Sequence, residues 1–486
     1  MGGGLMQLVS YGAQDIYISG NPQITFWKVL YKRHTNFATE PIEVTFNGQA
    51  DFNKHVTAVI NRNADLMHRA YVQLVLPEVN LKDSTAGTTF RWVDYVGHRL
   101  IKQCEVEIGG QRVDRQYGDW MQIWTQLATD GGCIGALDSM VGHTADLCIM
   151  KTAGQGAELS GACSGDEVTD SCRPYQGTPA KTLYVPLQFW FCRNAGSAIP
   201  LIALQYHEVR VNIDFETWQN CVSPANTAAK SLAGASLYVD YVYLDTEERR
   251  RFAQQSHEYL IEQVQFTGAE SITSSSNKVQ LNFNHPVKEL FWVVQRDSFV
   301  DCSATTAESY GGQQPFNYSD DWSADQMIIN DLNDGVGDTG SGDVGTGDGS
   351  PSPGSGGGLN YLLAKIILAT GVHCSGKNPV EVAKLQLNGQ DRISEREGSY
   401  FDKVQPYQHH SRCPSVGINC YSFALRPEEH QPSGTCNFSR IDKATLQLTV
   451  SINTVAGTRT AQVRVYALNY NVLRVMSGMG GLAYSN

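Results

Sequence analysis

The chain has 486 residues and a mass of 53.4 kDa, more than the roughly 250–300 residues at which one hydrophobic core stops growing, so two domains are expected. Apolar residues make up 41% and charged residues 18%, a balance that excludes a disordered chain and a coiled coil. With 37 Lys+Arg against 49 Asp+Glu, the net charge of −12 argues against a protein that coats nucleic acid, because non-specific binding needs clustered cations.

The start, Met1–Met6, lacks the cationic and apolar stretches of a secretory signal. No apolar run reaches the roughly 18–20 residues of a membrane span. The longest, Leu183–Cys192 and Tyr361–Leu368, are interrupted by Gln188 and Lys365. A soluble protein made in the cytoplasm is expected. Residues 1–26 are Gly-rich and polar, too poor in core residues for a domain, and read as an arm. Beyond them, the 46 glycines and 10% aromatics favour short strands joined by tight turns. Strands are predicted at Val44–Phe46, Ala70–Val75, Cys104–Ile108, Val209–Phe215 and Leu237–Tyr243 from their period-two, β-branched and aromatic pattern. In Val209–Phe215 the apolar Val209, Val211, Ile213 and Phe215 share one face and Arg210, Asn212 and Asp214 the other, which predicts a half-buried antiparallel strand. Helical periodicity is scarce; the clearest helix starts at Asp245, with Glu248 at capping-box spacing. Strands follow at Val279–Phe283, Leu290–Val294, Leu385–Leu387, Thr445–Val450 and Val463–Ala467.

The two series of strands repeat. Pro41–Gly48 resembles Ile261–Gly268, Glu107–Arg112 resembles Gln386–Asp391, Tyr184–Leu187 resembles Tyr421–Ala424, and Val209–Phe215 resembles Ala444–Val450. The order of elements is the same in both halves and only the loops differ. This predicts one β module used twice, at 27–244 and 258–486, around a linker at 245–257. Insertions are expected at about 125–182 and about 297–380. The core of the second, 334–358, is Gly/Asp-rich, and between 301 and 360 there are ten acidic residues without a Lys or Arg. Such a stretch cannot bury enough apolar surface to order itself. Asp334, Asp338, Asp343 and Asp348 are hard oxygen ligands, but EF-hand spacing is missing, so calcium binding stays open.

Twelve cysteines occur without a C-x-x-C, and free, mostly buried thiols are expected. Cys133, Cys148, Cys163 and Cys172 fall close together with His143 among them. Their spacing does not suit zinc, whose ligands pair two to four residues apart, and a disulfide within this group stays open. There is no P-loop, no strand–G-x-G-x-x-G–helix unit, no G-x-S-x-G elbow and no H-E-x-x-H. His409-His410 are adjacent and would point to opposite faces of a strand; His207-Glu208 reads as structural; Glu247-Glu248 and Glu428-Glu429 read as solvated faces. No catalytic residue, cofactor or metal site is predicted, and no enzyme. Asn317 and Asn437 stand in N-x-[ST] sequons.

Several longer stretches carry a resemblance. Tyr11–Tyr17, Gly20–Phe26, Tyr31–Ala38, Pro200–Val209, Leu244–Arg249, Leu387–Arg392 and Gln431–Arg440 resemble the major capsid proteins of nucleocytoplasmic large DNA viruses, most of all the chlorovirus type from algae. The resemblance spans nearly the whole chain and fails only in the two insertions. It implies an all-β fold of two consecutive eight-stranded antiparallel jelly rolls, with long loop insertions and few short helices. It implies a homotrimer forming a pseudo-hexagonal capsomer that tiles an icosahedral shell against neighbouring capsomers and minor capsid proteins. The arm would order on assembly, with Tyr11, Asp15, Tyr17, Asn21, Trp27, Lys28, Lys32 and Arg33 as contacts. The basic residues would face inward, where an internal membrane is a further partner; no sequence-specific nucleic-acid binding is expected. The insertions would project outward as towers, where the family carries sugars at unusual sites; the sequons Asn317 and Asn437 are the glycosylation candidates, expected to go unused by the host's usual machinery without a secretory signal. The alternative is a carbohydrate-binding attachment protein, with loop aromatics such as Trp322 stacking on sugars, or a minor capsid protein.

Overall fold

The computed structural model describes residues 3–27, 31–81, 89–148, 151–152, 177–223, 227–300, 314–320, 376–455, 457 and 459–484. Lys28, Cys163, Cys172, Cys302, Trp322, Cys374 and the stretch 334–358 lie outside them. Two compact units are present, residues 1–38 and 39–486. The first holds short helices at Gly3–Val9 and Ile16–Ser19, neither with a buried residue.

Among the described residues, sixteen strands build the two sandwiches. In the first module they are β1 (Phe37–Val44), β2 (His55–Ile60), β3 (Leu66–Leu76), β4 (Ile101–Ile108), β5 (Gln111–Tyr117), β6 (Lys181–Pro186), β7 (Val209–Phe215) and β8 (Gly234–Leu244). In the second they are β9 (His257–Ile272), β10 (Ser276–Leu281), β11 (Pro286–Arg296), β12 (Val380–Leu387), β13 (Gln390–Glu397), β14 (Asn419–Ser422), β15 (Ala444–Val450) and β16 (Ala461–Met476). The first module stacks a sheet ordered β1-β8-β3-β6 on one ordered β2-β7-β4-β5. The second repeats this as β9-β16-β11-β14 and β10-β15-β12-β13. Each strand thus stands where the strand eight places before it stands in the first copy, and the fold is a double jelly roll.

Register follows the apolar alternation. In β7, Val209, Val211, Ile213 and Phe215 are buried while Arg210 is exposed. Val209 faces Ile60 on one side and Ile108 on the other, and Ile213 faces Val56 and Cys104. A slip of one residue would turn all four apolar side chains to solvent. The β4–β5 and β12–β13 hairpins turn on Gly109-Gly110 and Asn388-Gly389, all four at positive φ between +51° and +81°. That is the geometry of a two-residue type I′ turn, which Asn-Gly and Gly-Gly favour.

Helix α1 (Gly118–Ala128) follows β5, α2 is Ile134–Val141, α3 is Thr246–Gln254 and α4 is Gln405–His409. The helix expected at Asp245 forms, but its cap differs: Asp245 accepts from the adjacent Thr246 N–H at 2.8 Å. The first insertion is corrected at its start. Residues 125–128 are the last turn of the buried α1, where Leu127 is fully enclosed, and residues 134–141 are a second helix. The described cysteines are free, including Cys133 and Cys148, which form no disulfide with each other. Cys104, Cys148, Cys221 and Cys420 are buried, Cys192 and Cys436 partly so, and Cys133 and Cys413 exposed. Among the described residues no helix is long and apolar enough to cross a membrane.

Candidate functional site

The chemistry of this chain concentrates where the two jelly rolls meet. Helix α1 carries Trp120, Ile123, Trp124 and Leu127 at i, i+3, i+4 and i+7, so all four fall on one face. That face lies on the outer side of the second module's β9-β16-β11-β14 sheet. There it shares an apolar cluster with Phe291 and Val293 of β11, Cys420 of β14, and Tyr466 and Leu468 of β16. The alternate residues Leu290, Trp292 and Val294, with Val463, Val465 and Ala467, point into the second module's own core. The sheet is therefore apolar on both faces, and β11 is buried at every position after Pro286. The ring of Trp120 meets Phe291 edge-on at 5.1 Å and lies 5.7 Å from Trp124.

Polar groups frame this apolar joint. Asp119, in the first turn of α1, pairs with Arg464 of β16, which also donates to Gln295. Burial lowers the guanidinium's pKa, but Asp119 outweighs it and the net shift is upward. On the other flank Arg193 reaches Glu262 at 2.9 Å and Lys288 reaches the same carboxylate at 2.5 Å. Burial pushes the Glu262 pKa up, and the two cations more than reverse it. The Arg193 guanidinium also sits over the Trp124 ring, 4.6 Å from its centre. Asp114 of β5 accepts from the Val264 N–H of β9 at 3.0 Å. Burial raises its pKa to about 7 despite that bond. Breaking one partner of such a buried pair strands the other charge and costs about 3–5 kcal/mol.

A further cluster adjoins this joint. His410 follows α4 and contacts Glu289 of β11 through Nε2 at 2.6 Å and Glu428 through Nδ1 at 2.9 Å. Burial lowers the imidazole pKa, but Glu289, Cys420 and Glu428 raise it to about 12. Glu428 also accepts from the Ser411 N–H at 2.9 Å, which corrects its reading as part of a solvated face. His410 ends a helical segment rather than lying on a strand, so the adjacent-histidine argument does not apply to it. Among the described residues, two groups bring metal-type ligand atoms within 4.8 Å of one another: Glu289, His410 and Cys420, and Asp94, His143 and Cys148. His207 is bonded to Gly480 of the second module at 2.9 Å, through Nδ1.

The remaining predicted residues are not gathered into one place. Tyr11, Tyr17 and Trp27 are exposed, as are Lys32 and Arg33. Asp15 accepts from the Gly12 N–H at 2.9 Å, and Asn21 is in the left-handed region at φ +49°. Large apolar side chains from Leu5 to Tyr31 stand in solvent, Phe26 completely. Asn317 is only 7% exposed, and its amide donates to Gln314 Oε1 at 2.7 Å, leaving no room for a glycan; Asn437 is exposed. Exposed apolar side chains outside the first unit include Tyr407 and Leu425 on the second module, and Tyr206 beside Met476 and Met479 where the modules meet. Sequence reasoning missed α1, although its i, i+3, i+4, i+7 pattern is present. It also missed the His410 cluster, whose partners lie 121 and 18 residues away.

Comparison with known proteins is consistent along the chain. The family described as large eukaryotic DNA virus major capsid protein matches residues 248–481, and that described as major capsid protein N-terminus matches residues 25–245. The chain is 55% identical to the major capsid protein of Phaeocystis pouchetii virus, with 100% of both chains covered. It is 40% identical to that of Paramecium bursaria Chlorella virus 1, again over 100% of both. Among solved structures, the quasi-atomic model of the PBCV-1 virus capsid matches with a TM-score of 0.65 and 34% identity, covering 95% of this chain and 100% of that one. The Faustovirus major capsid protein, 13% identical, shares the fold at a TM-score of 0.67.

Proposed function

From the premise that this chain belongs to the large eukaryotic DNA virus major capsid protein family, we propose that three copies form a pseudo-hexagonal capsomer of six jelly rolls. The chain is a structural protein of the virion's outer shell. The observation that carries the trimer reading is the doubled module: two equivalent sandwiches held as one compact body let a threefold particle present six similar corners. A sixfold lattice site can then be filled without six separate chains. The apolar and charged joint around α1 supports this, since a corner that hinged would blur the hexagonal outline. The work of the protein is mechanical, and we assign it no catalytic step.

The arm serves assembly in this reading. Its apolar side chains from Leu5 to Tyr31 have no core of their own, so they are available to neighbouring capsomers and minor capsid proteins. Tyr11, Asp15, Tyr17, Asn21 and Trp27 would supply the contacts. Lys28, Lys32 and Arg33 would add a weaker attraction to acidic headgroups of an internal membrane. Synthesis and assembly in the host cytoplasm complete the picture.

The deciding experiment is the solution mass by sedimentation equilibrium. A species near 160 kDa, three times 53.4 kDa, that persists on dilution is expected. A monomer at all concentrations would overturn the trimer. Deleting residues 1–26 should leave that species intact while reducing shell assembly; unchanged assembly would remove the arm's role.

A further inference from the structure

We propose that Glu289, His410 and Cys420 form a zinc site that fastens the second jelly roll to the segment receiving α1. The three residues come from β11, the end of α4 and β14, and each offers one ligand atom within 4.8 Å of the others. The side chains of Glu289 and His410 have no exposed surface, and Cys420 is fully buried. Carboxylate oxygen, imidazole nitrogen and thiolate sulfur together are the donor set of a borderline-soft divalent ion.

Two details favour a metal over an ion triad alone. Glu289 uses Oε1 for His410, while its buried Oε2 has only the Cys420 thiol beside it. A buried carboxylate oxygen with no stronger partner than a thiol carries a desolvation cost that a cation removes. Glu428 meanwhile holds the opposite ring nitrogen, Nδ1, at 2.9 Å. That is the carboxylate–histidine arrangement that fixes the tautomer of a metal-binding imidazole and leaves Nε2 for the ion. In a tetrahedral site the 2.6 Å separation between Nε2 and Oε1 would open to about 3.3 Å, a modest side-chain shift.

The charges balance. Without metal, the Glu289 and Glu428 carboxylates, the His410 imidazolium and the neutral Cys420 thiol sum to minus one. Binding one divalent cation releases the Nε2 proton of His410 and the thiol proton of Cys420. The two carboxylates, neutral imidazole, thiolate and the dication then sum to minus one again, with two protons passed to solvent. Binding therefore leaves the charge of the cluster unchanged and adds no isolated interior charge.

The place matters as much as the donors. Just after His410, the Arg412 N–H donates to Leu127 O at 3.1 Å and the Ser415 N–H to Gln126 Oε1 at 2.8 Å. Both acceptors belong to the last turn of α1, and the Trp124 ring lies 6.3 Å from His410. An ion binding β11, β14 and this segment would hold the receptor for α1 in place.

The test uses the full chain, stripped with chelator and titrated with zinc by calorimetry and with cobalt(II) by absorption. Expected are one equivalent bound, a heat that varies between buffers as two released protons require, and a thiolate-to-cobalt charge-transfer band. Cys420→Ser should abolish that band while Cys148→Ser keeps it. Glu428→Gln should weaken zinc about tenfold to a hundredfold. Should Cys420→Ser fail to fold, zinc protection of the wild-type Cys420 thiol from alkylation, read by peptide mass spectrometry, replaces it. No charge-transfer band, a band that survives Cys420→Ser, or no zinc protection of Cys420 would each overturn the proposal.

Discussion

Strands β3 and β11 occupy the same position in the two jelly rolls, yet their surroundings differ. In β3 buried and partly exposed residues alternate from Ala70 to Leu76, as expected of a sheet with one covered face. In β11 burial is continuous from Val287 to Arg296. The difference is α1, which the first module lays on the second module's outer face. The two copies share a fold but not a role: the first provides the joint and the second depends on it.

Trp120→Ala should expose this asymmetry most strongly. Losing the ring that packs on Phe291 should cost about 3–5 kcal/mol, read as a lower urea midpoint. If the loss is below about 1 kcal/mol, the second module stands by itself and the asymmetry is cosmetic. Asp119→Ala comes next, at about 3 kcal/mol, because it leaves the Arg464 guanidinium buried with Gln295 still beside it. A double-mutant cycle with Arg464→Met would isolate the pair.

The joint should also respond to pH. Burial raises the Asp114 pKa from 3.8 to about 7 in the fold. The folded state then binds the proton more tightly than the unfolded chain. The resulting stabilisation is complete below about pH 3.8 and is lost as pH rises through 7. Wild type should therefore lose about 2 kcal/mol relative to Asp114→Asn between pH 5 and 7. Parallel urea midpoints for the two proteins would argue against it.

The hairpins give the smallest contrast. Asn388 and Gly109 hold equivalent positive-φ positions, but a Cβ on Gly109 would come within 2.4 Å of the His207 ring. Gly109→Asn should cost about 2 kcal/mol in thermal unfolding, and Asn388→Gly a few tenths. Equal losses would mean that His207 yields easily despite its bond to Gly480.

Much of the architecture was legible because the signal was local. Alternation placed β7 residue for residue, and the Asn388-Gly389 turn lined up with Gly109-Gly110. Asp245 announced α3. Family resemblance then supplied the jelly-roll order that alternation cannot. What escaped depends on distant partners. The face of α1 can be read from Trp120 to Leu127, but nothing local says it covers β11 and β16. The run Leu290–Val294 reads as one strand, while its odd and even residues belong to two different cores. His410 sits beside an exposed neighbour in sequence, and its environment comes from Glu289 and Cys420. The insertions were the weakest part: 125–182 begins within a helix, since a length difference between repeats does not show where core ends.

The joint also sets an order of events along the growing chain. Asp119 and Arg464 are separated by 345 residues, a long loop to close. Helix α1 leaves the ribosome well before β11 and β16 exist; Met121 and Gln122 can already settle on the first module, but the Trp120–Leu127 face must wait for the sheet it covers. Until that late docking, Phe291, Val293, Tyr466 and Leu468 present an uncovered apolar surface. Slow long-range closure keeps that apolar surface exposed for longer, which favours aggregation of incomplete chains.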